Sequence, residues 1–296
     1  MARDGPQTTS RRQLGRLPAF AFAMALTPAA HLACAQPSLP AMNSYGQPPF
    51  VPIGAERTAG LAKTFVELLN QALDGRKKLH LDNVPRRRLE LALSDRSFSG
   101  VALFLAPEFL APAAQQLGAW SEPVMVDENL IVSVRPLNVS SLDTLNGLKL
   151  GGIAGHVYRL LGPAIMNGKV VREDAQDHIS NLGKLCLGRV DFVVISKSEL
   201  AGTRPHVSCP ASFRSTSFPE PQVVVRRVLV QMLDDDSSKE VLEAVAAVAC
   251  SQPWTQTLAQ YGLSTVGCRN TVERPLDPSP KKGQKVRPRP KQVKPG

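Results

Sequence analysis

Between residues 60 and 195 short apolar runs alternate with segments whose apolar residues recur every three or four positions, and few folds accommodate that alternation. Leu61, Phe65, Leu68, Leu69 and Ala72 form a helical stripe over residues 60–73, closed by Asp74-Gly75. Residues 79–84 read as a strand. Pro85 then sits where a first helical turn tolerates it, followed by Arg86, Arg87 and Arg88 and by Leu89, Leu91 and Leu93. Further strands are predicted at 100–105, 169–172 and 190–195, and helices at 111–117 and 178–187. Strands alternating with helices imply an α/β protein with mostly parallel sheets and helices on both faces. Two stretches depart from the pattern. Residues 124–135 form an extended segment longer than a typical strand, and residues 205–225 carry several prolines and serines before the extended run Val223-Val224-Val225. Both read as segments crossing between two lobes. Helices at 238–249 and 253–261 complete the folded part.

The densest local pattern is Ser141 to Leu161. Ser141 is a suitable cap for a short helix to about Asn146, with Gly147 closing it. Residues 148–153 read as a strand leading to Gly155, after which His156, Val157, Tyr158, Leu160 and Leu161 have helical spacing. A strand, a glycine turn and a helix start can receive an anion, because the first helical amides lack partners and that end of the dipole is positive. The amides of Gly155, His156 and Val157 are therefore candidate ligands for an anionic group. The three arginines after Pro85 oppose a helix dipole, which predicts a partner elsewhere for at least one of them, Arg86 being the candidate cation.

The net charge of +10 suggests nucleic acid until it is divided along the chain. Residues 1–35 carry a net +3 and residues 269–296 a net +7, so the body between them is neutral with 22 charges of each sign. A neutral body lacks the clustered basic face that phosphate binding needs, and no nucleic-acid partner is expected. Residues 1–35 read as an export signal. Ser10-Arg11-Arg12-Gln13-Leu14 resembles the twin-arginine motif, an apolar stretch follows, and Ala33-Cys34-Ala35 suits cleavage before Gln36. A lipid anchor at Cys34 fits less well, because Leu32 stands two rather than three places before it. No later segment is long and apolar enough to span a bilayer, so a soluble periplasmic protein is expected. Residues 269–296, rich in Pro, Lys and Arg, should be disordered for want of anything to bury. Cys186, Cys209, Cys250 and Cys268 lack zinc-like spacing; an exported chain permits disulfides, and Cys250–Cys268 is the preferred pair among three possible pairings.

Taken together, Tyr45 to Phe50, Val84-Pro85-Arg86, Trp120-Ser121-Glu122-Pro123, Ser141-Leu142 with Leu145-Asn146-Gly147, Gly155 to Tyr158, and Leu185 to Asp191 resemble the periplasmic solute-binding proteins of family 3, in the same order over about residues 40–262. The resemblance implies a two-lobed, type II periplasmic-binding fold with two crossing segments. Lobe one would be residues 36–124 plus about 220–268, and lobe two about 129–212. It further implies a monomer without a cofactor, a small-molecule ligand in the cleft, and an ABC-transporter permease or a membrane sensor as partner. Tyr45, Phe50, Phe104 and Trp120 would wall the cleft, with Arg86, Ala106, Gly155, His156, Val157, Tyr158 and Ser196 completing the ligand-binding set. In amino-acid-binding members an arginine after the third strand clamps the carboxylate. Here the matching run is Leu105-Ala106-Pro107-Glu108-Phe109, with phenylalanine in place of the clamp. The acid that holds the amine is likewise replaced, by Ser196. Ordinary α-amino acids should therefore bind poorly.

Other classes follow from the same residues. Gly151-Gly152-Ile153-Ala154-Gly155, with Glu173 downstream, suggests a dinucleotide site, but Ile153 and His156 occupy positions that the fingerprint gives to glycine. A lyase or dehydratase on the two-lobed fold would need an acid or base, for which His156 and Glu108 are the candidates. A ligand-binding sensory or accessory protein is the remaining alternative.

Overall fold

The computed structural model describes residues 38–54, 60–231 and 233–268. The export motif around Arg11-Arg12 and the basic stretch 269–296 lie outside the described residues.

Among the described residues nine strands form one continuous sheet. In chain order they are β1 (Ser38–Asn43), β2 (Lys78–Asn83), β3 (Gly100–Leu105), β4 (Ala119–Trp120), β5 (Met125–Ser133), β6 (Lys149–Ile153), β7 (Val171–Ala175), β8 (Phe192–Ser196) and β9 (Arg214–Gln231). The helices are α1 (Leu61–Leu73), α2 (Arg86–Ser94), α3 (Pro112–Gln115), α4 (Gly162–Met166), α5 (His178–Cys186), α6 (Lys197–Thr203), α7 (Asp235–Ala249) and α8 (Gln252–Ala259). The sheet order is β2-β1-β3-β9-β5-β8-β6-β7, with β4 paired to β9. Within each half the strands joined through helices are parallel: β1 with β2 and β3, and β6 with β7 and β8.

The expectation of mostly parallel pairing needs correction where the chain crosses. β9 is 18 residues long and runs antiparallel to β3, β4 and β5, while β5 runs antiparallel to β8. β5 and β9 thus belong to both halves and make the two crossing segments of a two-lobed fold. A strand that serves two sheets must be longer than one that serves one, which is why both stood out in the sequence.

Each half has its own core. On one side Leu61, Phe65 and Leu69 of α1 pack with Val241, Val245 and Val248 of α7 and with Trp254 of α8 against β3 and β9. Phe50, Phe104, Phe65 and Trp254 form a run of ring contacts with centroids 4.7–6.1 Å apart. Trp254 donates its indole N–H to the Val124 carbonyl at 2.8 Å, which fixes α8 against the start of β5. On the other side Leu150, Tyr158, Leu161 and Phe192 fill one face of the sheet, and Leu182, Leu185 and Val193 the other. Disulfides join Cys186 to Cys209 and Cys250 to Cys268. Closing loops of 23 and 18 residues restricts the unfolded chain, which is worth roughly 3 kcal/mol each in the chain-entropy account.

Local sequence logic explains most elements and fails at identifiable places. Asp74 takes the left-handed conformation (φ 46°) that ends α1, and Pro85 stands just before α2. The helix expected at 111–117 shortens to α3, and the one expected from Ser141 is a single 3-10 turn, Leu142–Leu145, with no side-chain cap from Ser141. The helix expected from His156 is absent: residues 154–155 and 159–161 are turns, 156–158 are irregular and α4 starts only at Gly162. Pro163 is the physical reason, since a helix running through it would lack the amide bond its ring removes. The helical spacing there reflects Tyr158 and Leu161 reaching the core while Val157 and Leu160 stay exposed at 73% and 41%.

Candidate functional site

The carboxyl ends of β1, β3, β6 and β8 converge where the two halves meet, the usual position for ligands in open α/β sheets. Lobe contacts are close at this junction. A Cβ on Gly202 of α6 would stand 2.6 Å from the Pro49 nitrogen, so the first lobe's 45–50 loop rests directly on the second lobe's backbone. At the far rim Arg159 donates to the Glu108 carbonyl at 2.7 Å and lies 5.9 Å from the centre of the Phe109 ring.

The floor is made by the two crossing strands and was not foreseen. Arg226 of β9 and Asp127 of β5 are 3% and 2% exposed and pair at 3.2 Å between Nη2 and Oδ2. Asp127 also accepts from the Ser198 amide at 3.1 Å and its hydroxyl at 2.6 Å. The Arg226 guanidinium lies 4.3 Å from the Tyr45 ring centre and 5.2 Å from that of Phe50. Burial works against its charge, but charge interactions with Tyr45, Asp127 and Glu199 more than offset this and hold its pKa above the ordinary value. Alternation could have revealed the pair. Arg226 shares a strand face with buried Val224 and Val228, and Asp127 shares one with buried Met125.

From Asp127 a polar chain leads into the second lobe. Ser198 Oγ and Ser196 Oγ are 3.1 Å apart, Ser196 donates to Glu199 at 2.8 Å, and the His178 Nε2 stands 3.7 Å from that carboxylate. Ser196 caps α6, accepting from the Glu199 amide, and so brings the Glu199 carboxylate back over its own hydroxyl. Asn181 donates to the Gly152 carbonyl at 2.7 Å, close enough that a Cβ on Gly151 would meet its Oδ1. The His178 Nδ1 and Asn181 Oδ1 are buried without a hydrogen-bond partner. No signal short of the fold marked these three residues.

The rim on the second lobe is the 154–161 turn. The His156 amide donates to the Ile153 carbonyl at 3.0 Å, so the three amides expected to receive an anion are not a free helix start. Gly155 adopts φ 77°, which suits glycine, and Tyr158 turns inward to accept the Ile153 amide at 2.9 Å. Burial pushes the Tyr158 phenol up to about 12. The His156 ring lies 4.6 Å from that of Tyr158. It keeps contact with water at the rim, yet the surrounding walls lower its pKa, with the Glu199 carboxylate opposing and His178, Arg172 and Arg86 reinforcing.

The remaining expected residues divide. Arg86 bonds Glu90 at 2.7 Å and reaches the Phe109 carbonyl at 3.5 Å near the rim. Tyr45 and Ser196 face the junction as described. Phe104 and Ala106 are wholly buried, Phe50 nearly so, and Trp120 packs beneath α2 and α3 with its indole N–H on the Gln115 carbonyl. Phe104 and Trp120 thus pack in the apolar clusters of this half, while Phe50 also lies against Arg226. Chemically the site offers charged and hydrogen-bonding groups for holding a solute. A nucleophile primed by an imidazole is not among them, since Ser196 donates to Glu199. Among the described residues no cluster could hold a metal and no helix is long and apolar enough to cross a membrane. A depression of about 470 Å³ between Trp120–Glu122 and α7 is lined by Trp120 but by none of the other residues expected at the site.

No protein-family model and no curated protein matches the sequence. Solved structures match its fold. A Salmonella typhimurium periplasmic binding protein described as highly arginine-specific is 14% identical, covering 75% of this chain and 98% of its own, with a TM-score of 0.55. The arginine-, lysine-, histidine-binding protein ArtJ of Geobacillus stearothermophilus is 14% identical over 76% and 95%, with a TM-score of 0.56. A histidine kinase sensor domain similar to periplasmic binding proteins is 12% identical over 78% and 98%, with a TM-score of 0.59. At such identities the likeness establishes the fold: this chain has the two-lobed architecture of the periplasmic binding proteins.

Proposed function

We propose that this chain is an exported solute-binding protein that closes two lobes, about residues 36–124 with 220–268 and about 129–212, over a small polar or anionic molecule. The observation that carries the reading is the buried polar chain that leads from Asp127 through Ser198, Ser196 and Glu199 to His178, whose Nδ1 has no partner, on a fold whose solved neighbours are binding proteins. Unpaired buried polar groups are costly unless a ligand completes them. Tyr45, Arg86, His156, Tyr158 and Ser196 would contact the solute together with His178 and Glu199. Closure would present a surface to a membrane partner, as hinge proteins of this architecture do. An ABC-transporter permease is the first such partner; a sensor is the second, favoured by the kinase sensor domain among the neighbours.

Native mass spectrometry of protein purified without refolding, followed by small-angle scattering with and without whatever is bound, tests the reading. A bound small molecule whose removal opens the particle is expected. A protein that carries nothing and keeps one shape across a panel of polar solutes would overturn it. In the same panel no α-amino acid should bind with submicromolar affinity. N-terminal sequencing of the exported protein should begin near Gln36.

A further inference from the structure

A guanidinium group is recognised by an aromatic face, a carboxylate at its edge and carbonyl oxygens for its remaining donors. All three surround Arg226, and each comes from a different part of the chain. Tyr45 and Phe50 cover it from the loop after β1, at 4.3 and 5.2 Å from their ring centres. Asp127 on β5 holds Nη2, and the Phe104 carbonyl on β3 lies 3.5 Å from Nη1. Phe104 is a non-glycine residue at φ 57°, where the β3–β9 register shifts. Such backbone is retained only where its surroundings over-determine it, and here its consequence is a carbonyl turned toward the guanidinium.

The carboxylate is also preset without the arginine. Ser198 of α6 gives Asp127 two hydrogen bonds, from its amide and its hydroxyl, and these would keep it aimed if Arg226 were removed. A buried Arg–Asp pair is not in itself a good way to stabilise a core, since apolar residues of the same volume do as well or better. The pair also remains incomplete, because the Arg226 Nε is buried without a partner. A site assembled from β1, β3, β5 and α6, at the end of the sheets where solutes bind, is thus filled from β9 by the chain itself.

We propose that Arg226 is an internal ligand: its guanidinium occupies a guanidinium-binding site at the cleft floor, and so determines that the cleft rejects guanidinium solutes. Arg226 is then the residue that sets specificity against such cations, whatever polar or anionic solute the rest of the cleft takes. The consequence for specificity rests on the solute-binding reading, but the occupancy of the site does not.

The test is to empty the site and offer the group back. Arg226→Ala and the wild-type protein are compared by thermal shift and calorimetry with methylguanidinium, with methylammonium as the control for charge alone, and with L-arginine. The wild type should respond to none of them. The variant should be stabilised by millimolar methylguanidinium and not by methylammonium, and should bind methylguanidinium and L-arginine roughly tenfold or more tighter than the wild type does. Adding Asp127→Asn should remove that gain, which a featureless cavity would not require. Equal responses to the two cations, no response at all, or guanidinium binding by the wild type would overturn the proposal. If Arg226→Ala does not fold alone, its refolding yield from urea should rise with methylguanidinium and not with methylammonium; an unchanged yield overturns the proposal equally. None of these outcomes depends on finding the natural solute, so a failure here is separable from a failure of the solute-binding reading.

Discussion

The two ends of the cleft are built on opposite principles. At the crossing strands Arg226, Asp127, Ser198 and Phe50 have almost no exposure and are tied together, with the half-buried Tyr45, by short contacts. At the rim the 154–161 turn carries exposed Val157 and Leu160, and it is held across the gap by Arg159 on the Glu108 carbonyl. A charge pair in a dry site cannot lose one member cheaply, whereas a surface contact is screened by water and exchanges readily. The floor therefore fixes the relation of the strands, whereas the rim is joined by the kind of contact that the proposed closing and opening of the lobes would need to break.

The sharpest way to break that contrast is at the floor. Asp127→Ala strands a buried guanidinium and should cost about 3–5 kcal/mol of unfolding free energy in urea titration. A loss below about 1 kcal/mol would mean that water reaches Arg226 and that the two ends are alike. Next in size is Tyr158, which anchors the rim turn through one hydrogen bond to the Ile153 amide. Tyr158→Phe should cost about 1 kcal/mol at neutral pH. Its phenol titrates near 12 rather than 10, so the folded state keeps the proton longer than the unfolded chain does. That contribution is complete below pH 10 and disappears as pH rises through 12; the variant should lose less stability over this interval.

Smaller effects are expected farther out. Arg159→Ala should change stability by no more than about 0.5 kcal/mol, as for other exposed contacts, yet scattering should show a larger open population. A larger loss of stability would make the rim structural. Smallest is His156, whose imidazole should titrate in NMR below the ordinary 6.5. Because the unfolded chain then binds the proton more tightly, stability should fall as pH drops through 6.5 toward the folded value. A titration above 6.5 would place the ring under the control of Glu199 instead of the surrounding walls.

Much of the frame was legible because it obeys local rules. The apolar stripe of residues 60–73 became α1 with Asp74 as its left-handed end, and the overlong segment at 124–135 became β5, the first crossing strand. The turn at 155–161 was misread because periodicity records which residues reach the core, and Tyr158 with Leu161 reach it from a non-helical backbone that Pro163 enforces. At position 196 an acid looked lost, although Glu199 stands beside the Ser196 hydroxyl once α6 forms.

By itself, then, the sequence determined the α/β alternation, the two crossing segments and the neutral body between basic ends. Those properties depend on neighbours within a few residues or on composition. Only the tertiary structure decided that Arg226 and Asp127, 99 residues apart, share one site, and that Tyr45 and Phe50 cover it. Strand pairing brings such residues together through backbone hydrogen bonds that every residue offers alike. Alternation can therefore show that a charge points inward, but its partner is fixed by the register of β5 against β9.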